Sequence, residues 1–106
     1  MKQLKFSEPL PKLILEGEKD TTWRINDKQS IEFGDALSLC YNDGEEFAKA
    51  KVVSTRLTTF GELTAHDKEG HEKFSSDEEM YKKYSDYYKQ DVTSKTSVKV
   101  IKFKTL

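Results

Sequence analysis

Apolar and polar positions alternate with a period of two from Ala36 to Tyr41, so that Leu37, Leu39 and Tyr41 share one face, and Asn42-Asp43-Gly44 follows as a turn. This predicts a β-hairpin whose return strand is Phe47 to Leu57. Along that strand the apolar positions run through Ala48, Ala50 and Val52 and then move to Val53 and Leu57. The last strand does the same, with Val98 and Val100 giving way to Ile101 and Phe103. A side-chain period of two cannot change phase unless the strand bulges, bends or is covered on both faces. The pattern therefore predicts a curved sheet or a small barrel. Gly34-Asp35 marks the turn before the hairpin, and the two threonines, tryptophan and isoleucine of Asp20 to Ile25 suit a further strand.

Helical spacing occurs elsewhere. Leu10, Leu13 and Ile14 lie between the entry signals Pro9 and Pro11 and the stop signal Gly17, which predicts a short helix over Leu10 to Glu16. Thr58 to Ala65 reads as another short helix, and Asp67 to Phe74 as a polar loop. Ser76 and Glu79 form a capping-box pattern ahead of Met80, Tyr84, Tyr87 and Tyr88, which predicts an amphipathic helix ending near Gln90. A tyrosine stripe at this spacing fits packing on the domain's own core; a base-stacking platform or a partner-binding helix face is the alternative.

At 106 residues, with no repeat and no linker rich in Pro, Gly or Ser, residues 1–106 are expected to form one domain. Charged and apolar residues each make up 35%, yet six Phe, five Tyr and one Trp supply the apolar surface that a disordered chain lacks. No apolar run approaches the roughly 20 residues that span a bilayer, and the first residues lack the apolar stretch of a secretory signal, so a cytoplasmic protein without a membrane partner is expected. Cys40 has no partner cysteine, which excludes a disulfide framework and fits a buried thiol. A net charge of −1 and a pI near 6.1 argue against duplex DNA as a partner. They fit a small ligand better than a long nucleic acid. Oligomeric state is not legible in the sequence.

Candidate chemistry gathers in Gly17-Glu18-Lys19-Asp20-Thr21-Thr22-Trp23-Arg24. On an extended strand Thr22 and Arg24 point to one face and Lys19, at the preceding turn, can swing toward it. One pocket can then hold an amine, a hydroxyl and a guanidinium, while Trp23 faces the other way, toward a core. Solvated side chains would explain the same letters. His66, Asp67, His71 and Glu72 cluster without any recognised zinc spacing, so no metal is expected. Solvated loop residues are the plainer account of them, although His71 beside Glu72 could help to position an acid.

The spacing Gly-x-Lys-x-x-Thr-x-Arg, met as Gly17, Lys19, Thr22 and Arg24, resembles the hallmark of the ASCH domain, a PUA-like β-barrel family linked to RNA. The chain is similar in particular to the small bacterial ASCH enzymes that remove the acetyl group from N4-acetylcytidine. Phe33-Gly34-Asp35, a glutamate at Glu72 with the matching separation from Lys19, and the ending Val100 to Leu106 share the likeness, which runs over nearly the whole chain. Two features depart from it. Asp20 stands where the enzymes usually carry threonine, and the loop around Glu72 is longer on its far side.

The resemblance implies an α+β fold: a small PUA-like barrel of about five to six curved, mostly antiparallel strands with about two to three flanking helices. It implies an amidohydrolase without metal or organic cofactor, acting on N4-acetylcytidine or a related acylated nucleoside. Lys19 would be the proton acceptor, Thr22 the nucleophile and Glu72 the proton donor. Gly17, Arg24 and Glu69 would contact substrate, with Glu69 also an alternative for the acid. The wider grouping implies a second reading, a module that binds RNA or a modified nucleotide without turnover. A threonine hydroxyl needs a neighbouring base, and a lysine is one only if burial or nearby positive charge, here Arg24, lowers its pKa. An ionised Glu72 would oppose that. The chemistry therefore asks for a protonated Glu72, or one nearer to the leaving nitrogen than to the amine. Arg24 or a backbone N–H at the helix end near Gly17 would stabilise the tetrahedral oxyanion.

Overall fold

A computed structural model describes residues 1–106. Five strands form one sheet: β1 (Lys2–Phe6), β2 (Thr21–Arg24), β3 (Ala36–Tyr41), β4 (Glu46–Thr59) and β5 (Ser97–Thr105). Their order is β1-β3-β4-β5-β2. Neighbours are antiparallel except β1 and β3, which run parallel from Lys2 beside Leu37 to Phe6 beside Tyr41. The sheet curls into a half-barrel flanked by three helices, α1 (Leu10–Leu15), α2 (Ala65–Lys68) and α3 (Asp77–Tyr88), an α+β fold as expected.

Both phase shifts have a visible cause. In β4, Val52 pairs with Phe103 and Ser54 with Lys102, so Val53 is an extra residue that bulges the strand and turns its later side chains over. In β5 the ladder against β2 is regular, and the shift arises because both faces are covered. Ile101 and Phe103 pack with Leu4, Phe6, Ile14 and Leu39 in one core, whereas Val98 and Val100 pack with Trp23, Phe60, Met80 and Tyr84 in a second. β5 is the wall between the two cores, and each of its fully buried aliphatic side chains contributes about 1.5 to 3 kcal/mol.

Several expected boundaries shift. The sequence pattern gave no strand at residues 2–6, yet Leu4 and Phe6 alternate inward on β1. Strand β4 runs through Thr59, so the helix expected over Thr58 to Ala65 reduces to a 3-10 turn, Phe60–Glu62. The expected polar loop begins later, because Asp67 and Lys68 belong to α2. Thr64 caps α2 and accepts from the Asp67 N–H while the Asp67 carboxylate accepts from the Thr64 N–H. That carboxylate also pairs with Arg56 on β4, which explains how a buried acid is tolerated. At α3 only half of the expected capping box forms. Ser76 Oγ accepts from the Glu79 N–H, but the Glu79 carboxylate takes its bond from Ser75.

The half-barrel is open between its edge strands, β1 and β2, and side chains close the seam. The Gln29 amide imitates a neighbouring strand against Gln3, accepting from its N–H at 2.8 Å and donating to its carbonyl at 2.6 Å. Farther along, Arg24 Nη2 on β2 donates to the Lys5 carbonyl on β1 at 2.9 Å. Satisfying edge groups this way leaves no ladder for another chain to extend at those positions. It also leaves a cleft beyond Arg24.

Candidate active site

That cleft is a cavity of about 220 Å³. Its polar side chains include Lys5, Ser7, Lys19, Thr22, Arg24 and Glu72. Its apolar wall is made by Phe6, Leu10, Trp23, Tyr84, Tyr87 and Tyr88. Four of the six residues singled out from the sequence, Lys19, Thr22, Arg24 and Glu72, therefore meet at one place.

Local structure explains how. Helix α1 ends where Gly17 adopts φ +80°, a left-handed conformation that suits glycine, and the N–H groups of Glu18 and Lys19 both turn back to the Leu13 carbonyl. This delivers Lys19 inward at the start of β2, where it is only 3% exposed. Its Nζ donates to the Thr21 carbonyl at 2.7 Å and to Glu72 Oε2 at 2.6 Å. Glu72 lies in the loop between α2 and α3, docked onto β2 by Gly70, whose carbonyl accepts from the N–H groups of Asp20 at 3.0 Å and Thr21 at 3.1 Å. Thr21 Oγ1 donates to the Glu69 carbonyl at 2.7 Å, a second tie.

Thr22 and Arg24 share the cavity face of β2, and Arg24 Nε donates to Thr22 Oγ1 at 3.0 Å. The guanidinium lies over the Phe6 ring, 4.8 Å from its centroid, and one N–H of Nη2 is spent on Lys5. Held by three contacts, Arg24 keeps three N–H donors, two on Nη1 and one on Nη2. The Thr22 hydroxyl bonds Arg24 rather than the Lys19 amine.

Two expected residues lie elsewhere. Glu69 does not line the cavity; its exposed carboxylate sits 3.5 Å from His66, and only its carbonyl faces β2. The Glu69 carboxylate thus pairs with His66, whereas that of Glu72 meets the Lys19 amine. Gly17 also lies outside the lining, and its N–H is used by Ile14 O at 3.1 Å, so the helix end offers no free donor for an oxyanion. Trp23 packs in the second core, as its alternation predicts, while its edge reaches the cavity. The sequence offers the tyrosine stripe as core, with base stacking the alternative, and does not tie it to the Lys19 site. Met80 and Tyr84 are core residues, as the helical spacing suggested, but Tyr84, Tyr87 and Tyr88 also line the cleft, and Phe6 arrives on the unforeseen strand β1.

Burial dominates the electrostatics. It lowers the Lys19 amine below the ordinary lysine range, with Arg24 adding to the shift and Glu72 opposing it. For Glu72, burial pushes the carboxyl upward, but the charge of Lys19 and its hydrogen bond act against it, and the net shift is downward. Glu72 is therefore ionised at neutral pH. His71, behind it, is pushed down to about 4 by burial and by the charge of Lys19, and is neutral.

No protein-family profile and no curated protein matches the chain. Solved structures do. The crystal structure of hypothetical protein PH0355 superposes with a TM-score of 0.74 at 27% identity, over 100% of both chains. The solution structure of protein PF0455 from Pyrococcus furiosus gives 0.66 at 25%, over 99% of this chain and 96% of that one. The ASCH domain from Lactobacillus crispatus JV V101 gives 0.63 at 14%, over 90% of this chain and 69% of that one. The fold is that of an ASCH domain, the PUA-like architecture that the motif implied.

Proposed function

We propose that this domain, an ASCH domain by fold, is an amidohydrolase that removes the acetyl group from N4-acetylcytidine or a related acylated nucleoside. One observation carries the reading: an amine and an acid at 2.6 Å share a cavity with a hydroxyl and with flat aromatic walls. The cavity size suits a single heterocycle with a small acyl group rather than a larger ligand.

Because Glu72 is ionised at rest, the acid must gain its proton within the cycle. A bound heterocycle displaces water and removes solvation from both charges, which favours moving the proton from Lys19 to Glu72 along their hydrogen bond. This yields a neutral amine and a carboxylic acid together. Lys19 then takes the Thr22 proton as Oγ1 attacks the acetyl carbon, and Arg24 stabilises the oxyanion. Glu72 donates to N4 as the C–N bond breaks and cytidine leaves. Water attacks the acetyl-threonine and gives a proton to Glu72, Lys19 returns one to Thr22, acetic acid departs to ionise in solvent, and the Glu72 proton passes back to Lys19 to restore the ion pair. Lys19 and Thr22 need only approach each other by a side-chain adjustment, as catalytic hydrogen bonds commonly do once substrate is present.

The test is to incubate purified protein with N4-acetylcytidine and follow cytidine and acetate by chromatography. Lys19→Met, Thr22→Val and Glu72→Gln, each close in volume to the native residue, should each lower turnover by at least about 100-fold. A variant that retains activity removes its residue from the mechanism. The binding-module reading is favoured by the Thr22 hydroxyl bonding Arg24 rather than a base. Binding of N4-acetylcytidine without product, at high protein concentration, would select it.

A further inference from the structure

The loop that carries Glu72 has no strand or helix of its own, so the direction of the carboxylate depends on what grips residues 69–74. Gly70 fixes the near end. The second grip is His71, which is buried although it stands in a polar stretch. Its ring lies flat on Trp23, with centroids 3.6 Å apart and planes 9° apart. Nδ1 is 2.8 Å from the Glu72 carbonyl, and Nε2 is 3.0 Å from the Tyr84 hydroxyl.

Chemistry fixes the protons along this chain. A carbonyl only accepts, so Nδ1 carries the hydrogen, and the neutral ring then presents a lone pair at Nε2 to which Tyr84 O–H donates. The Tyr84 hydroxyl is thereby committed inward while its residue walls the cavity. The charged groups facing the imidazole are Lys19, Glu72 and Arg24; burial and the two cations oppose its protonation and outweigh the Glu72 carboxylate, 3.5 Å from Nδ1, which favours it.

We propose that His71 is the positioning residue of the acid: a neutral Nδ1–H imidazole, clamped between Trp23 and Tyr84, that holds the Glu72 main chain so that its carboxylate meets Lys19. This rests on the amidohydrolase reading for its kinetic consequence, though not for its geometry. Three substitutions separate the contacts. His71→Asn places an amide N–H near Nδ1 and keeps the grip on Glu72. His71→Gln places an amide oxygen near Nε2 and keeps Tyr84 alone. Tyr84→Phe removes the far hydroxyl.

For the intact domain and each variant, kcat and KM on N4-acetylcytidine are measured beside the melting temperature and the carboxyl-carbon NMR titration of Glu72. His71→Asn should hold kcat within about threefold of the parent, whereas His71→Gln should lower it by about tenfold or more at unchanged KM. In His71→Gln the Glu72 titration should move up toward the ordinary range as Lys19 is lost, and in His71→Asn it should stay. Tyr84→Phe should fall between the two. Equal kcat and an equal Glu72 titration in the Asn and Gln variants would overturn the proposal, as would ¹⁵N shifts showing hydrogen on Nε2. If the parent protein gives no cytidine, the amidohydrolase reading fails by itself. The Glu72 titration and the imidazole tautomer then decide the positioning role.

Discussion

At the scale of single residues, the cavity separates side chains that hold the protein together from side chains with surface to spare. Tyr84 is buried and bonded to His71, and Tyr88 accepts from the Ile25 N–H at 3.2 Å, so both rings serve the core as well as the cleft. Tyr87 differs: it lines the same cavity yet is 51% exposed, with its ring edge-to-face against Tyr84 at 6.0 Å. An exposed flat ring at a cavity mouth is available to cover a flat ligand, and such stacking contributes about 1 to 3 kcal/mol. Tyr87→Ala should therefore raise KM for N4-acetylcytidine by about tenfold with kcat nearly unchanged, and should hardly move the melting temperature. Tyr87→Phe should behave as the parent. A fall in kcat with constant KM would assign the ring to the chemistry instead. The sequence placed this tyrosine on a stripe read as core, and the stripe turns out to serve two surfaces, because the helix rim faces the seam of the half-barrel.

At the scale of elements, the loop between α2 and α3 explains why a short-range reading finds only part of the cavity. Lys19, Thr22 and Arg24 lie within one turn and one strand, so strand periodicity suffices to put them on a common side. Glu72 is 53 residues from Lys19 and came only by resemblance, since nothing local says where an irregular loop lands. What lands it is Gly70. Its φ of +76° is a conformation that side chains rarely adopt, and a Cβ there would overlap the Asp20 carboxylate, with Thr21 Oγ1 only 3.0 Å away. Gly70→Ala should cost about 1 to 2 kcal/mol in chemical unfolding and lower turnover beyond that, because Glu72 withdraws from Lys19. Unchanged stability and turnover would mean that the loop is held without this contact. The same logic separates the elements that were legible from those that were not. The 36–57 hairpin and α3 announce themselves by turn residues and periodicity, whereas β1 is too short for its Leu4–Phe6 alternation to stand out until β3 pairs with it. The β4 overrun past Leu57 follows from β5, whose Val98 and Ser97 pair with Thr58 and Thr59.

For the whole molecule, two cores lie on opposite sides of β5, and a titratable group packed against one of them behind the cleft makes its protonation felt as stability. His71 is the sharpest case, packed on Trp23 in the second core and pushed from an ordinary value of 6.5 down to about 4. A lowered histidine pKa means that the unfolded chain binds the proton first. Its contribution is present in full above 6.5 and is lost progressively as pH falls toward about 4. At about 1.4 kcal/mol per pH unit, the loss between neutral pH and pH 5 is about 2 kcal/mol. Asp67 and Glu72, also lowered, act in a different window, which opens only below their ordinary values of 3.8 and 4.5. Urea unfolding at pH 7.5 and pH 5 should therefore show the parent losing about 2 kcal/mol, whereas His71→Phe, which keeps a flat ring against Trp23 but cannot titrate, should start lower and lose much less. Parallel losses in the two proteins would mean that the proton enters elsewhere. The buried imidazole would then have to be accommodated in its charged form, which burial and the charges of Lys19 and Arg24 make costly even with the Glu72 carboxylate 3.5 Å away.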